Sequence, residues 1–199
     1  MKIADISKQV LGTLEPQTQP DLGNMPTLAK SLADYDGNFH ADCAKAKRET
    51  MQFMHNVKNG SGQWLTLLGG SGVGKTFLAR LVRNWSKREG IHGAMFIRWI
   101  TVCDYMRKGD FGVLDAMAEC SLLIVDDIGA DYETALSKAK IYVLAERRFN
   151  KPTLFTSNLT LDQIGDQIDV RVASRLVRDN NRVVTFSDCP DWSVANYRK

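Results

Sequence analysis

Residues Trp64 to Arg80 read WLTLLGGSGVGKTFLAR, and this stretch decides the architecture of the chain. An apolar run (Leu65, Thr66, Leu67, Leu68) breaks into Gly69-Gly70-Ser71-Gly72-Val73-Gly74, followed by Lys75, Thr76 and a helical pattern. This is G-x-x-x-x-G-K-[ST] in a strand–loop–helix setting. Glycines let the loop curl until successive backbone N–H groups converge on phosphate oxygens. Lys75 can reach the outer phosphates as a point charge, and the Thr76 hydroxyl suits Mg²⁺. The helix that follows turns its positive end toward the same anion. A glycine-rich turn that merely ends a strand is the bland alternative, and the agreement of motif with context disfavours it. The stretch predicts a nucleoside-triphosphate site made by Gly69, Gly70, Ser71, Gly72, Val73, Gly74, Lys75 and Thr76.

The chain of 199 residues, 44% hydrophobic, fits one domain with a small appendage. No apolar run approaches the ~20 residues of a membrane span. The start, MKIADISKQV, lacks the apolar core of a signal peptide, so a cytoplasmic protein without membrane attachment is expected. Cys43, Cys103, Cys120 and Cys189 are scattered and form no C-x-x-C, and His40, His55 and His92 stand alone. They read as thiols of a reduced compartment rather than a metal cluster or disulfide framework. A net charge of +3 is too small to demand a polyanion partner. Residues 1–40 carry three lysines and five acidic residues, so the basic excess falls in the remainder, which is compatible with nucleic-acid binding.

Residues 1–26 hold Gly12, Pro16, Pro20, Gly23 and Pro26, which predicts an extended or disordered arm. Ile3, Ile6, Val10 and Leu11 would also fit a short docking helix. Asp36-Gly37-Asn38 marks a turn, placing the arm at 1–37 and the folded domain at 38–199. Ala41–Lys58 reads as a helix with Ala44, Ala46, Met51, Met54 and Val57 inward. After the loop, Phe77, Leu78, Leu81, Val82 and Trp85 form one apolar face, with Arg80, Arg83, Lys87 and Arg88 solvated. A strand over Ala94–Ile100 and helices over Val102–Lys108 and Phe111–Cys120 follow.

Ser121 to Gly129, SLLIVDDIG, is the second anchor. Its apolar run predicts a buried parallel strand, and ligands of open α/β sheets gather at the carboxyl ends of such strands. Asp126 could hold Mg²⁺ there and Asp127 could orient water; a capping pair that only ends a strand is the alternative. Thr134–Phe149 reads as a helix with Leu136, Ile141, Leu144 and Ala145 inward. Pro152–Ser157 reads as a strand ending in Asn158, whose amide either orients water or serves the turn. Val170–Val177 is a short helix with Arg171 and Arg175 four residues apart, a solvated basic face on spacing alone. Arg182–Ser187 is a fifth strand, and the 12 residues beyond it are too few for a helical lid.

Alternation of this kind predicts a doubly wound, mostly parallel five-stranded sheet with helices on both faces. The loop strand is expected between the acidic and the polar-ended strands. GGSGVGKT, LLIVDDIG, FTSNL and RVASRL, in that order, resemble AAA+ ATPases, most nearly DnaC-type replicative helicase loaders and IstB-type transposition helpers. The resemblance covers residue 38 to the C-terminus and implies the three-layer P-loop NTPase sandwich. It makes Gly69–Thr76 the Walker A loop and Asp126 a Mg²⁺ ligand beside Thr76. It places Asp127 as the water-polarising acid, where most AAA+ proteins carry Glu, so hydrolysis would be slow. Asn158 matches the sensor-1 position, with Ser157 in reserve. Arg175 matches an arginine finger acting on a neighbouring subunit, with Arg171 next in line, and Arg198 a sensor-2 arginine. The short arm departs from the larger N-terminal domain of loaders.

The function so implied is an ATPase, using ATP and Mg²⁺, that loads a hexameric replicative helicase onto single-stranded DNA and self-associates through the finger. A transposition helper, and a nucleotide-gated binding module with negligible turnover, are the alternatives; a small-molecule kinase lacks its basic lid. Arg98, Tyr105, Arg107 and Lys108 are candidate DNA contacts, combining charge with a stacking surface.

Overall fold

The computed structural model describes residues 31–129 and 134–197. Three apolar runs, Trp64–Gly69 (β1), Leu122–Ile128 (β3) and Thr153–Ser157 (β4), are buried almost throughout, as strands covered on both faces must be. Ala94–Arg98 (β2) and Arg182–Phe186 (β5) alternate buried with exposed positions, and both lie at the edges. All five pair in parallel, in the order β2-β3-β4-β1-β5.

This order corrects one expectation. β1 is flanked by β4 and β5, and the polar-ended β4 separates it from the acidic β3. Two-sided burial marks a strand as interior without ranking it among the interior strands. The crossover from β1 carries the chain past two positions to β2 at the edge, and β3 and β4 then fill the gap.

The helices are Ala41–Lys58 (α1), Lys75–Arg88 (α2), Trp99–Arg107 (α3), Gly112–Glu119 (α4), Ala135–Arg147 (α5), Leu161–Ile164 (α6), Val170–Leu176 (α7) and Trp192–Tyr197 (α8). A π turn, Gly165–Asp169, joins α6 to α7. The pleat sends alternate side chains to opposite layers. Leu65, Leu67, Ile124, Leu154 and Val184 meet α1 and α2 through Phe53, Leu78 and Val82. Trp64, Leu68, Val125 and Phe155 meet the other face through Val102, Met117, Ile141 and Leu176. Among the described residues no helix is long and apolar enough to cross a membrane.

Several local expectations shift. β2 stops at Arg98, and Trp99 and Ile100 instead open α3, with Trp99 fully buried. α1 buries Cys43, Ala46, Thr50, Phe53 and Met54, whereas Ala44 and Met51 face solvent. Phe53, the largest side chain available, takes the core and rotates the buried stripe away from Met51. In α5, Leu136 is exposed and Ser137 is buried. The Thr134 N-cap sets this phase, since Thr134 Oγ1 accepts from the Ser137 amide at 3.2 Å and the Ser137 hydroxyl donates to Thr134 O at 2.9 Å. The arm over residues 1–30 lies outside the described residues.

At the amino ends of the strands sits Arg148, a fully buried guanidinium. It donates to Cys120 O at 2.5 Å, Pro152 O at 2.6 Å and Thr153 Oγ1 at 3.1 Å, tying α4, β3 and β4 together. Burial pulls its pKa below the usual arginine range. Arg148→Ala leaves the buried Cys120 carbonyl without its donor and should cost about 3 kcal/mol. Urea unfolding should show the lowered midpoint; an unchanged midpoint would remove this account of the arginine.

Candidate active site

Leu65–Leu68 are fully buried and bring Gly69 to the carboxyl edge of the sheet. There the backbone turns sharply, with φ of 147° at Gly69 and 71° at Gly72, in the region that favours glycine. A Cβ on Gly69 would also lie 2.8 Å from the Phe186 carbonyl of the adjacent strand. The loop then enters α2, whose first residue, Lys75, is only 6% exposed.

The Lys75 ammonium donates to Gly69 O at 2.6 Å, Gly70 O at 2.6 Å and Asn158 Oδ1 at 2.9 Å. These acceptors match its three N–H bonds. Burial pushes its pKa down, and the nearby Asp127 and Asp126 charges act in the opposite sense. Asn158 directly follows β4, and its amide Nδ2 donates to Asp127 Oδ1 at 3.0 Å. One amide therefore joins the loop lysine to the acidic strand. β4 can do this because it lies between β1 and β3.

Asp126 is 2% exposed and accepts from Thr76 Oγ1 at 3.0 Å and Thr156 Oγ1 at 2.6 Å. Thr156 in turn accepts from the Asp127 amide at 2.8 Å, so a single hydroxyl fixes both aspartates. The sequence does not single out Thr156, one of three hydroxyl residues in the five-residue β4. A carboxylate beside a threonine hydroxyl is a hard oxygen donor set, and it fits Mg²⁺ that takes its other ligands from phosphate and water. Among the described residues no group of three His, Cys, Asp or Glu could hold a metal alone. Asp127 adopts φ 65°, an unusual left-handed conformation for a side-chain-bearing residue.

Ser157, the reserve for Asn158, is fully buried; it donates to Ile128 O at 2.6 Å and accepts from the Leu159 amide at 3.1 Å. That structural role leaves Asn158 as the residue facing the loop. Arg175 lies at the far end of the sheet. It lines a cleft of about 260 Å³ with Trp64, Asn150 and Asn181, which begin or precede strands. Its side chain pairs with Glu146 and stands over the Tyr142 ring at 4.9 Å. Arg171 lies over the same ring at 3.9 Å and pairs with Asp169. Neither arginine joins the loop in its own chain. Arg98, Arg107 and Lys108 are exposed, Tyr105 is half-buried, and Arg107 pairs with Asp104. Arg198 lies outside the described residues.

Two further contacts reach the loop without any sequence signal. Tyr35, inside the stretch assigned to the arm, is buried and donates its hydroxyl to Val73 O at 3.2 Å. The Trp192 amide donates to Gly72 O at 3.1 Å.

Comparison with known proteins agrees with this geometry. The family described as IstB-like ATP binding protein matches residues 15–183. No curated protein sequence matches the chain. The crystal structure of DnaI is 23% identical over 84% of this chain and 93% of that one, with a TM-score of 0.68. The DnaC helicase loader is also 23% identical, over 78% of this chain and 96% of that one, with a TM-score of 0.65. Replication initiator DnaA, bound to AMPPCP and single-stranded DNA, is 15% identical over 87% and 56%, with a TM-score of 0.64. At these identities the likeness is one of fold: the α/β P-loop NTPase architecture of the AAA+ type.

Two substitutions test the site. Asn158→Ala should lower any ATP hydrolysis by about 10²-fold while nucleotide affinity changes far less. Equal loss of both would make Asn158 a binding residue. Asp127→Gly should leave thermal stability level or raised, whereas Asp127→Val should lower it by about 1–2 kcal/mol, because only the latter is strained at positive φ. Equal melting temperatures would contradict the strain.

Proposed function

The chain belongs to the IstB-like ATP binding protein family, and from that premise we propose that it is an ATPase that loads a replicative helicase onto single-stranded DNA. The observation that carries the catalytic part is the Lys75–Asn158–Asp127 link, with hydrogen bonds of 2.9 and 3.0 Å. ATP would lie along Gly69–Thr76, its outer phosphates drawing on Lys75. Mg²⁺, held by Thr76 and Asp126, would neutralise charge on the phosphate oxygens. Asp127 accepts a proton from, or orients, the attacking water, and Asn158 senses the γ-phosphate through the same amide that touches Lys75.

Arg175 completes the site from a neighbouring copy. Its place at the opposite end of the sheet from Lys75 supports a second subunit as the recipient of its charge. The Glu146 pair and the Tyr142 ring hold it until an interface offers a phosphate. The ATPase domain is taken as 38–199 with Tyr35 packed onto it, and the arm that precedes Tyr35 is proposed to dock a partner. Support for the client comes from the solved neighbours: DnaC is a helicase loader, and DnaA binds AMPPCP together with single-stranded DNA.

Arg175→Ala should reduce DNA-stimulated hydrolysis on the order of 10³-fold while nucleotide binding persists. An unchanged rate would leave a nucleotide-gated binding module. Capture of purified replicative helicase should require ATP and be modulated by single-stranded DNA. Failure with helicase but capture of a transposase would replace the loader reading with the transposition helper.

A further inference from the structure

The segment after β5 reaches the phosphate loop by way of a cysteine. Ser187 N donates to Asp42 Oδ2 at 3.1 Å, at the start of α1. Two residues on, Cys189 places its Sγ 3.5 Å from the Sγ of Cys43, also on α1. Pro190 and Asp191 follow. The Asp191 carboxylate caps α8 by accepting from Val194 N at 3.0 Å. The same carboxylate occupies the space beside Gly72, within 2.0 Å of where a Cβ would stand. Trp192 N then bonds to Gly72 O. Residues 187–192 thus form a strap from α1 to the tip of the phosphate loop, with the two thiols at its hinge.

We propose that Cys43 and Cys189 are a redox modification site: their reversible disulfide fixes this strap across the phosphate loop and slows nucleotide exchange. Cys43 is buried and Cys189 is half-exposed, so Cys189 is the point of entry. A disulfide needs the sulfurs to close by about 1.5 Å, within reach of side-chain and loop adjustment. The oxidant is a small-molecule disulfide. The Cys189 thiolate attacks one of its sulfurs, forming a mixed disulfide and releasing one small thiol. Cys43 sulfur, losing its proton, then attacks Cys189 Sγ and expels the second small thiol. Two protein thiols are oxidised, and one small disulfide is reduced to two thiols. Burial and the neighbouring Cys43 push the Cys189 thiol up to about 12, which leaves little thiolate and makes the first exchange slow.

The coupling follows from geometry. Gly72 is bonded to Trp192 and faces the Asp191 carboxylate, so a nucleotide passing the tip of the loop must displace the strap. While the thiols are reduced, the strap can lift as a local unit; once bonded, it is anchored two residues from Asp191. The inference rests on nucleotide binding at Gly69–Thr76 and on no other part of the proposed function.

The test treats the full chain with oxidised glutathione under native conditions. Two measurements follow: free thiols with linked peptides by mass spectrometry, and dissociation of a fluorescent adenine nucleotide. The expected result is loss of two thiols, a Cys43–Cys189 peptide pair, and dissociation slowed by roughly threefold or more, reversed by dithiothreitol. Cys189→Ser and Cys43→Ala should each bind nucleotide as the reduced protein does and be insensitive to oxidant. Glutathione retained on Cys189 alone, or the linked pair with unchanged dissociation, overturns the proposal. Reduced protein that binds no nucleotide overturns the ATP reading itself, and the thiol count separates that failure from this one.

Discussion

A lysine ammonium with almost no access to solvent must be surrounded by oxygen, because burying a charge without compensation is prohibitive. Lys75 meets this condition with two carbonyls from its own loop and one amide oxygen from Asn158. The carbonyls come with the glycine-rich turn. The amide demands that β4 lie directly beside β1, so the order of the sheet and the satisfaction of one charge are a single requirement. ATP phosphates present the same kind of oxygen, and one of them would exchange for an acceptor that the ammonium already holds.

The same order aligns the acidic strand. Thr156 spans Asp126 and the Asp127 backbone, and Asn158 spans Asp127 and Lys75, so β4 and the residue after it contribute alternate polar contacts to the acidic strand and to the loop lysine. Arg148 is the counterpart at the other end of the sheet. It too is a buried cation surrounded by oxygens, but those oxygens belong to strand and helix ends. The carboxyl end of the sheet keeps its charge adjustable by a ligand, and the amino end keeps its charge fixed.

Much of this was legible in the residues themselves. GGSGVGKT carries its own geometry, and LLIVDDIG combines two-sided burial with carboxylates at a strand's carboxyl end. What the residues withheld has physical causes. Strand order among β1, β3 and β4 depends on crossovers, and all three share the same apolar signature. The buried stripe of α1 turned on Phe53 outcompeting Met51 for space, a tertiary decision. Thr156 and Tyr35 act through contacts 29 and 38 residues distant in sequence, and Arg148 reaches Cys120 across 28, and nothing local to them announces that. The role proposed for Arg175 comes from the resemblance alone, since its spacing describes a solvated face.

Under the proposed function the site around Lys75 is half of a site, completed by Arg175 from another copy. Mixing two inactive proteins tests this directly. Lys75→Ala cannot engage nucleotide but offers Arg175 to a neighbour, and Arg175→Ala engages nucleotide but lacks the donor. The account predicts that the mixture hydrolyses ATP well above the sum of its parts. A rate equal to that sum, with the two proteins shown to associate, would contradict it.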